Sequence, residues 1–302
     1  MPSFRPGPVK VRTPATSANL GPGFDSAGLA LALHDEVVAQ VAPSRLSVDV
    51  SGEGAESLPR GERHLVVSAM RATFDRLGGQ PAGLSVRARN RIPQSRGLGS
   101  SSSAIVAGVL SARALVRDGE QALDDAAVLA LADELEGHPD NVAACLLGGL
   151  TLAWSEPPAV HAVRLDTHPD LLPVAFVPAT RSSTKQVRGL LPAQVPHGDA
   201  AANAARAALL PLALTSRPDL LLAATQDRLH QAYRAPAMPA TAELVGRLRA
   251  RGVPAVVSGA GPTVLALALR SEAAAVAAAA GPPWRVLSLD VDAEGARARH
   301  LT

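Results

Sequence analysis

Along the first half of the chain, apolar and polar positions alternate in some stretches and recur at helical spacing in others, which predicts mixed strands and helices. Val9–Ala15 and Leu29–Val41 are rich in apolar and β-branched residues. Leu46–Ser51 alternates over a shorter run, and Gly83–Ile92 alternates until Pro93 stops it. His64–Leu77 has helical spacing and ends at Gly78-Gly79, a C-cap signal. Ser100–Val116 reads as a helix of small and apolar residues. Asp124–Leu135 reads as another, halted by Gly137 and Pro139, and Gly149–Trp154 reads as a strand.

The pattern changes at Ser155-Glu156-Pro157-Pro158, which predicts two domains, residues 1–156 and 157–302. Beyond it come a strand near Leu172–Val177 and three helical patterns, His197–Thr215, Pro218–Tyr233 and Ala240–Arg251. A strand–turn–strand follows at Ala255–Leu269, then a short helix Glu272–Ala280 and a last strand at Trp284–Asp290. Few βαβ units recur and no repeat is visible, so the class expected is α+β and not a doubly wound sheet.

Composition narrows the function without naming it. At 302 residues the chain is long enough to bury a substantial core, and with 2% aromatics that core must be built from Ala, Val and Leu. A net charge of +2, with scattered arginines and few aromatics to stack on bases, argues against nucleic acid as a partner. Cys145 is the only cysteine, which excludes an intrachain disulfide and a cysteine metal site. The N-terminus carries no apolar signal segment, and no apolar run reaches the ~18 residues of a membrane span. A soluble, cytoplasmic protein is expected.

The strongest chemical signal lies between the strand ending at Ile92 and the helix starting at Ser100: Pro93-Gln94-Ser95-Arg96-Gly97-Leu98-Gly99, then four serines. Glycines let backbone approach an anion closely. The first N–H groups of a helix lack internal partners and carry the positive end of the dipole. Hydroxyls there add donors and a possible oxygen ligand for Mg²⁺. No lysine follows the second glycine, so this is not a Walker A loop, and the dinucleotide G-x-G-x-x-G is missing as well. The plain alternative is a strand-to-helix turn with serine caps, which one serine would satisfy and four exceed.

Two further constellations are weaker taken singly. Pro14–Asp25 is a polar, glycine-punctuated loop in which Asn19 offers donor and acceptor and Asp25 a carboxylate. Glu134-Leu135-Glu136-Gly137-His138-Pro139-Asp140-Asn141 gathers polar ligands at a helix break; His138 has no second histidine at i+4 for zinc. A third glycine turn, Val257–Thr263, reads either as a tight hairpin or as backbone pressed against the first loop from the second domain.

These segments, in this order, resemble the GHMP kinases from about Val9 to Leu267, and within that family the branch acting on homoserine. Thr13–Asp25, Glu136–Asn141, Ser183–Arg188 and the Tyr233-Arg234 pair carry the more selective likeness. The resemblance implies a two-domain GHMP kinase fold, with an N-terminal domain like ribosomal protein S5 domain 2 and a ferredoxin-like C-terminal domain. It implies ATP and Mg²⁺, and phosphorylation of L-homoserine on the way to threonine. Pro93, Arg96, Gly97, Leu98, Gly99, Ser100, Ser101, Ser102 and Ser103 would hold the nucleotide. Ser101 and Glu136 would hold the metal, with Glu134 the competing carboxylate. Asn19, Asp25, His138 and Asp140 would face the substrate, and Arg188 and Arg234 would clamp its carboxylate. Asn19 and Asp140 are the catalytic candidates, Asp140 as a base only after its binding role. The partners implied are homoserine and ATP, with no nucleic acid and no membrane; a homodimer is an assembly the sequence leaves open. A ligand sensor keeping the fold would be expected to have lost the Gly-Leu-Gly-Ser turn or the metal carboxylate, and both are here.

Overall fold

The computed structural model describes residues 2–157, 159–182 and 184–301, without the side chains of 184 and 185. Pro158 at the expected division, and Ser183 with the side chains of Thr184 and Lys185 in the third selective segment, lie outside the described residues.

Two sheets organise the chain. The first contains β1 (Val9–Ala18), β2 (Ala27–Ala42), β3 (Arg45–Gly52), β4 (Gly83–Asn90), β5 (Leu150–Glu156) and β6 (Ala159–Leu165). The second contains β7 (Val174–Val177), β8 (Ala255–Val257), β9 (Val264–Ala266) and β10 (Arg285–Ser288); β11 (Arg297–His300) returns to the first. The first sheet runs β11-β1-β2-β4-β3, with β5 on the near end of β2 and β6 on β5; the second runs β10-β7-β9-β8. Among the described residues only β3 and β4 pair in parallel, and the helix Leu65–Arg76 makes the crossover that parallel pairing requires. Numbered within the second unit, the order is 4-1-3-2 and antiparallel, the ferredoxin-like arrangement expected.

The burial pattern of β1 shows where the two sheets meet. Lys10 and Arg12 face out between buried Val9 and Val11, but from Thr13 to Ala18 both faces are buried. The Ser100–Leu115 and Pro139–Leu147 helices pack on one face of β1 and β2, and Leu65–Arg76 packs against Ser100–Leu115. On the other side Ala15, Leu20, Leu29 and Leu31 share a cluster with Ala175, Val256 and Leu265 of the second sheet and Leu210 of the helix His197–Thr215. In β7, Ala175 and Val177 point into this shared layer while Val174 and Phe176 point to the helices behind.

Several expected elements change. The loop expected from Pro14 begins only after Ala18, because burial on both faces keeps Thr13, Thr16 and Ser17 in the strand. Pro14 cannot donate to a ladder, and β2 is bulged there, its partners jumping from His34 to Leu31. The helix expected over Pro218–Tyr233 is broken into Pro218–Leu220, Leu221–Ala224 and Gln231–Arg234. The cause is Asp227, whose carboxylate takes the N–H groups of Leu229, His230 and Gln231 and starts a new turn. The division expected after Glu156 falls in the turn of the β5–β6 hairpin, where Glu156 pairs with Ala159. The change of sheet comes after Leu165. β11 lies beyond the strand expected to be last, and pairs Arg297 with Arg12 and His300 with Val9.

Candidate active site

A cleft of about 670 Å³ opens between the sheets. It is lined by the Asn19–Asp25 turn, the Gln94–Ser101 loop, the Glu136–Asn141 helix break, Arg188, Arg234 and the Gly259–Gly261 turn. All three glycine-rich segments singled out in the sequence thus meet at one place.

The anion loop is built by contacts that only glycine allows. Gly97 and Gly99 have φ of 76° and 69°. A Cβ on Gly99 would collide with the Thr16 hydroxyl, and one on Gly97 with the Ser258 carbonyl. The four serines are not caps: the N-cap is Gly99, with no side-chain hydrogen bond. Ser101 Oγ donates to Glu136 Oε2 (2.7 Å) and Ser102 Oγ to Glu136 Oε1 (2.8 Å). Ser103 Oγ bonds with Thr13 Oγ1 (2.8 Å). The first intrahelical bond runs from Ser103 N to Gly99 O, which leaves the N–H groups of Ser100 to Ser102 ahead of the ladder. The Val257–Thr263 turn braces this loop, since Thr263 N donates to Arg96 O and Ser258 Oγ to Gly97 O (2.5 Å). The second of the two readings of that turn is therefore the structural one.

Glu136 closes the helix Asp125–Glu136, and Gly137 (φ 89°) turns the chain so that Pro139 can open the next helix. This turn separates the two candidate carboxylates. Glu136 faces the serines and the cleft, while Glu134 lies on the outer surface in an ion pair with Arg76 (2.6 Å). Asp140 is buried; its Oδ1 accepts from His138 Nδ1 (3.0 Å) and from Asn141 N (2.7 Å). Its other oxygen has no hydrogen bond among the described residues. The bond to Asp140 pushes the His138 imidazole above its ordinary pKa.

Asn19 and Asp25 both adopt the left-handed region, with φ of 70° and 55°. Asn19 Nδ2 donates to Gly259 O (3.0 Å) and its Oδ1 accepts from Asp25 N (3.0 Å), so it ties the turn across the sheets. Asp25 receives Arg188 in a two-pronged pair, and the Arg188 guanidinium also lies 5.6 Å from the Phe24 ring centroid. Arg234 sits on the same ring at 5.3 Å and is 2% exposed, with no carboxylate partner among the described residues. Burial lowers its pKa, and its Nε is buried without an acceptor.

Three residues expected at the nucleotide do not line the cleft. Pro93 and Leu98 are buried under the loop, and Ser102 is fully covered and turned to Glu136. Arg96 lines the cleft, but its guanidinium is spent on the carbonyls of Pro178, Ala179 and Gln94, which fastens the loop to the second domain. Sequence reasoning missed Asn141, whose Oδ1 accepts from Thr16 Oγ1 (2.7 Å), and Asp35, buried beside the loop. The signal for Asp35 was present: strand alternation puts it on the same inward face as Val37.

The chain matches the family description "GHMP kinases N terminal domain" over residues 64–149 and "GHMP kinases C terminal" over 209–282. It is 60% identical to the homoserine kinase of Streptomyces coelicolor, covering 98% of this chain and 96% of that protein. It is 53% identical to that of Rhodococcus erythropolis over 94% and 93%. Among solved structures it is similar to homoserine kinase from Cytophaga hutchinsonii, with TM-score 0.83 and 26% identity, covering 99% of each chain. A putative homoserine kinase from Listeria monocytogenes gives TM-score 0.78 and 30% identity over 97% and 100%. No helix among the described residues is long and apolar enough to cross a membrane. With two family domains in order and relatives matched over nearly their whole length, the chain belongs to the GHMP kinase family.

Proposed function

We infer that the protein transfers the γ-phosphoryl group of ATP to the side-chain hydroxyl of L-homoserine, giving O-phospho-L-homoserine for threonine synthesis. The observation that carries the substrate is the far end of the cleft. There one carboxylate (Asp25) and two guanidinium groups (Arg188 and Arg234) converge, a set of charges complementary to an α-amino acid. The loop backbone lines the same cleft, so a short hydroxylated amino acid held by these charges would bring its hydroxyl toward phosphate on the loop.

Phosphoryl transfer asks chiefly for in-line positioning and neutralisation of charge. In this reading the free N–H groups of Ser100 to Ser102 bind phosphate oxygens. Asp25 holds the ammonium, and Arg188 and Arg234 hold the carboxylate. Asn19 keeps the turn carrying Asp25 in place. Asp140 binds the reacting hydroxyl through its unoccupied oxygen and can take up its proton, while His138 supports the charge on the carboxylate.

A Mg²⁺ ion fits the donors beside the loop. One carboxylate (Glu136) and one hydroxyl (Ser101), already 2.7 Å apart, are oxygen ligands of the kind that hold this ion together with phosphates. Bound there, it would neutralise charge on the phosphate chain. The reading carries with it a cytoplasmic enzyme of amino-acid biosynthesis. A coupled assay of ADP release with homoserine, mevalonate, galactose and shikimate tests it. Homoserine should be strongly preferred, and preference for any of the others overturns it.

A further inference from the structure

His230 has no place in the reaction above, yet it is fully buried and every polar atom of its ring is engaged. Nδ1 lies 3.1 Å from Arg234 Nη1, and Nε2 lies 2.8 Å from Gly21 O. A guanidinium can only donate, so Nδ1 must present its lone pair, and the proton sits on Nε2, where the Gly21 carbonyl accepts it. One face of the ring stacks on Phe24, with centroids 5.0 Å apart and planes at 25°. Phe24 in turn carries both arginines. Asp227 fixes the backbone of His230 through its N–H, and burial holds the imidazole below its ordinary pKa, in the neutral form that this pairing needs.

We propose that His230 is the positioning residue of Arg234. Its neutral ring anchors Nη1 of the guanidinium so that Nη2, which has no hydrogen bond among the described residues, is left for the substrate carboxylate. This rests on the reading of Arg234 as a carboxylate partner. The same ring ties that arginine to the Gly21–Asp25 turn through the Gly21 carbonyl. The two halves of the amino-acid clamp, from opposite domains, are thus set by a single imidazole.

Replacing His230 by Leu removes the acceptor. His230→Gln keeps a donor for Gly21 O without the acceptor, and His230→Asn keeps an acceptor near the Nδ1 position. The readouts are KM and kcat for homoserine, and the preference for homoserine over 3-aminopropan-1-ol, its counterpart lacking the carboxylate. The variants with Leu and Gln should raise the homoserine KM by about tenfold or more, with kcat within about threefold, the scale of a lost hydrogen bond to a charged group. Preference for the carboxylate-bearing substrate should fall by the same factor, and Asn should restore most of it. If His230→Leu does not fold, the contrast between Gln and Asn decides the question. Equal losses on both substrates would mean a structural wedge and would overturn the proposal; so would no loss with Gln. Arg234→Met is the control. If it leaves the preference intact, the carboxylate reading itself is wrong; if it abolishes the preference while the His230 variants keep it, only the role of His230 is.

Discussion

Arg188 grips Asp25 with both prongs of its guanidinium, Nη1 to Oδ2 at 2.9 Å and Nη2 to Oδ1 at 2.7 Å. The pair joins the Thr184–Arg188 helix to the Asn19–Asp25 turn, and on the proposed reading each partner would meet an opposite charge on the substrate. With side chains 41% and 35% exposed, such a pair contributes at most about 1 kcal/mol after solvent screening. On that reading an amino acid entering the cleft would exchange this one weak contact for two of its own, an ammonium on Asp25 and a carboxylate on Arg188. The pair therefore holds the two arms of the clamp together at little cost to binding.

Removing either arm should damage homoserine binding far more than stability. Arg188→Met and Asp25→Asn are each expected to raise the homoserine KM by roughly 10- to 100-fold, the effect of a lost charge-assisted hydrogen bond. The KM for ATP should stay within about twofold. Unfolding in urea should shift by less than about 1 kcal/mol. A comparable rise in both KM values would show that the pair shapes the whole cleft and not its amino-acid end.

The two neighbouring glutamates should separate cleanly. Glu136→Gln, at the serines, is expected to lower kcat by about 100-fold or more, the scale of losing a charge that stabilises phosphoryl transfer, and to raise the Mg²⁺ concentration needed for half-maximal rate. Glu134→Gln should leave kcat and KM unchanged, because Glu134 pairs with Arg76 on the far side of the helix. Mg²⁺ titrations of both variants check this, and a metal-dependent defect in the Glu134 variant would reverse the assignment.

Gly99→Ala tests the loop backbone. At φ 69° an L-residue is strained, and the added methyl meets Thr16, so Thr16 or the loop must move. The expected result is a stability loss of about 1–3 kcal/mol together with a raised KM for ATP. Thr16→Ser keeps the hydroxyl that would still collide, so it should not rescue; Thr16→Ala should recover part of the ATP affinity.

Legibility in the sequence followed physical locality. The serine helix and its glycine turn were readable because the signal is contiguous and each glycine answers a local backbone demand. The resemblance put Glu136 ahead of Glu134, but the residues alone left both in play, because which of them faces the cleft depends on which way the chain leaves the helix at Gly137. β11 was missed because Arg297–His300 is exposed along its length and has no apolar rhythm; only its pairing to β1 makes it a strand. The break at Asp227 was hidden for a similar reason. An aspartate within an apolar, helical spacing looks like a solvated position until its carboxylate is seen to collect three N–H groups. His230 shared that concealment, since a lone histidine on a helical pattern gives no sign of the arginine it holds.

Asp35 supplies the pH-dependent test. Its Oδ1 accepts from Arg91 N (2.6 Å) and Ile92 N (2.9 Å), where β4 runs into the anion loop, and its Oδ2 faces Ser103 on the helix beyond (3.4 Å). The side chain thus holds both ends of the loop, but burial outweighs these bonds and lifts its pKa from 3.8 to about 6. Between those values the native state keeps a proton that the unfolded chain has released. Stability from this group therefore falls as pH rises through that window, and the cost of the ionised form, on the order of 2–3 kcal/mol, persists above it. Asparagine offers the same oxygen to both N–H groups without the charge. Asp35→Asn should accordingly be more stable than the parent protein by about 1–3 kcal/mol at pH 8, with the advantage shrinking toward zero by about pH 4. Urea unfolding of both proteins across that range measures it. A difference that does not vary with pH would mean that the Asp35 carboxyl titrates alike in the folded and unfolded chain, and that its hydrogen bonds, not its charge, set the contribution.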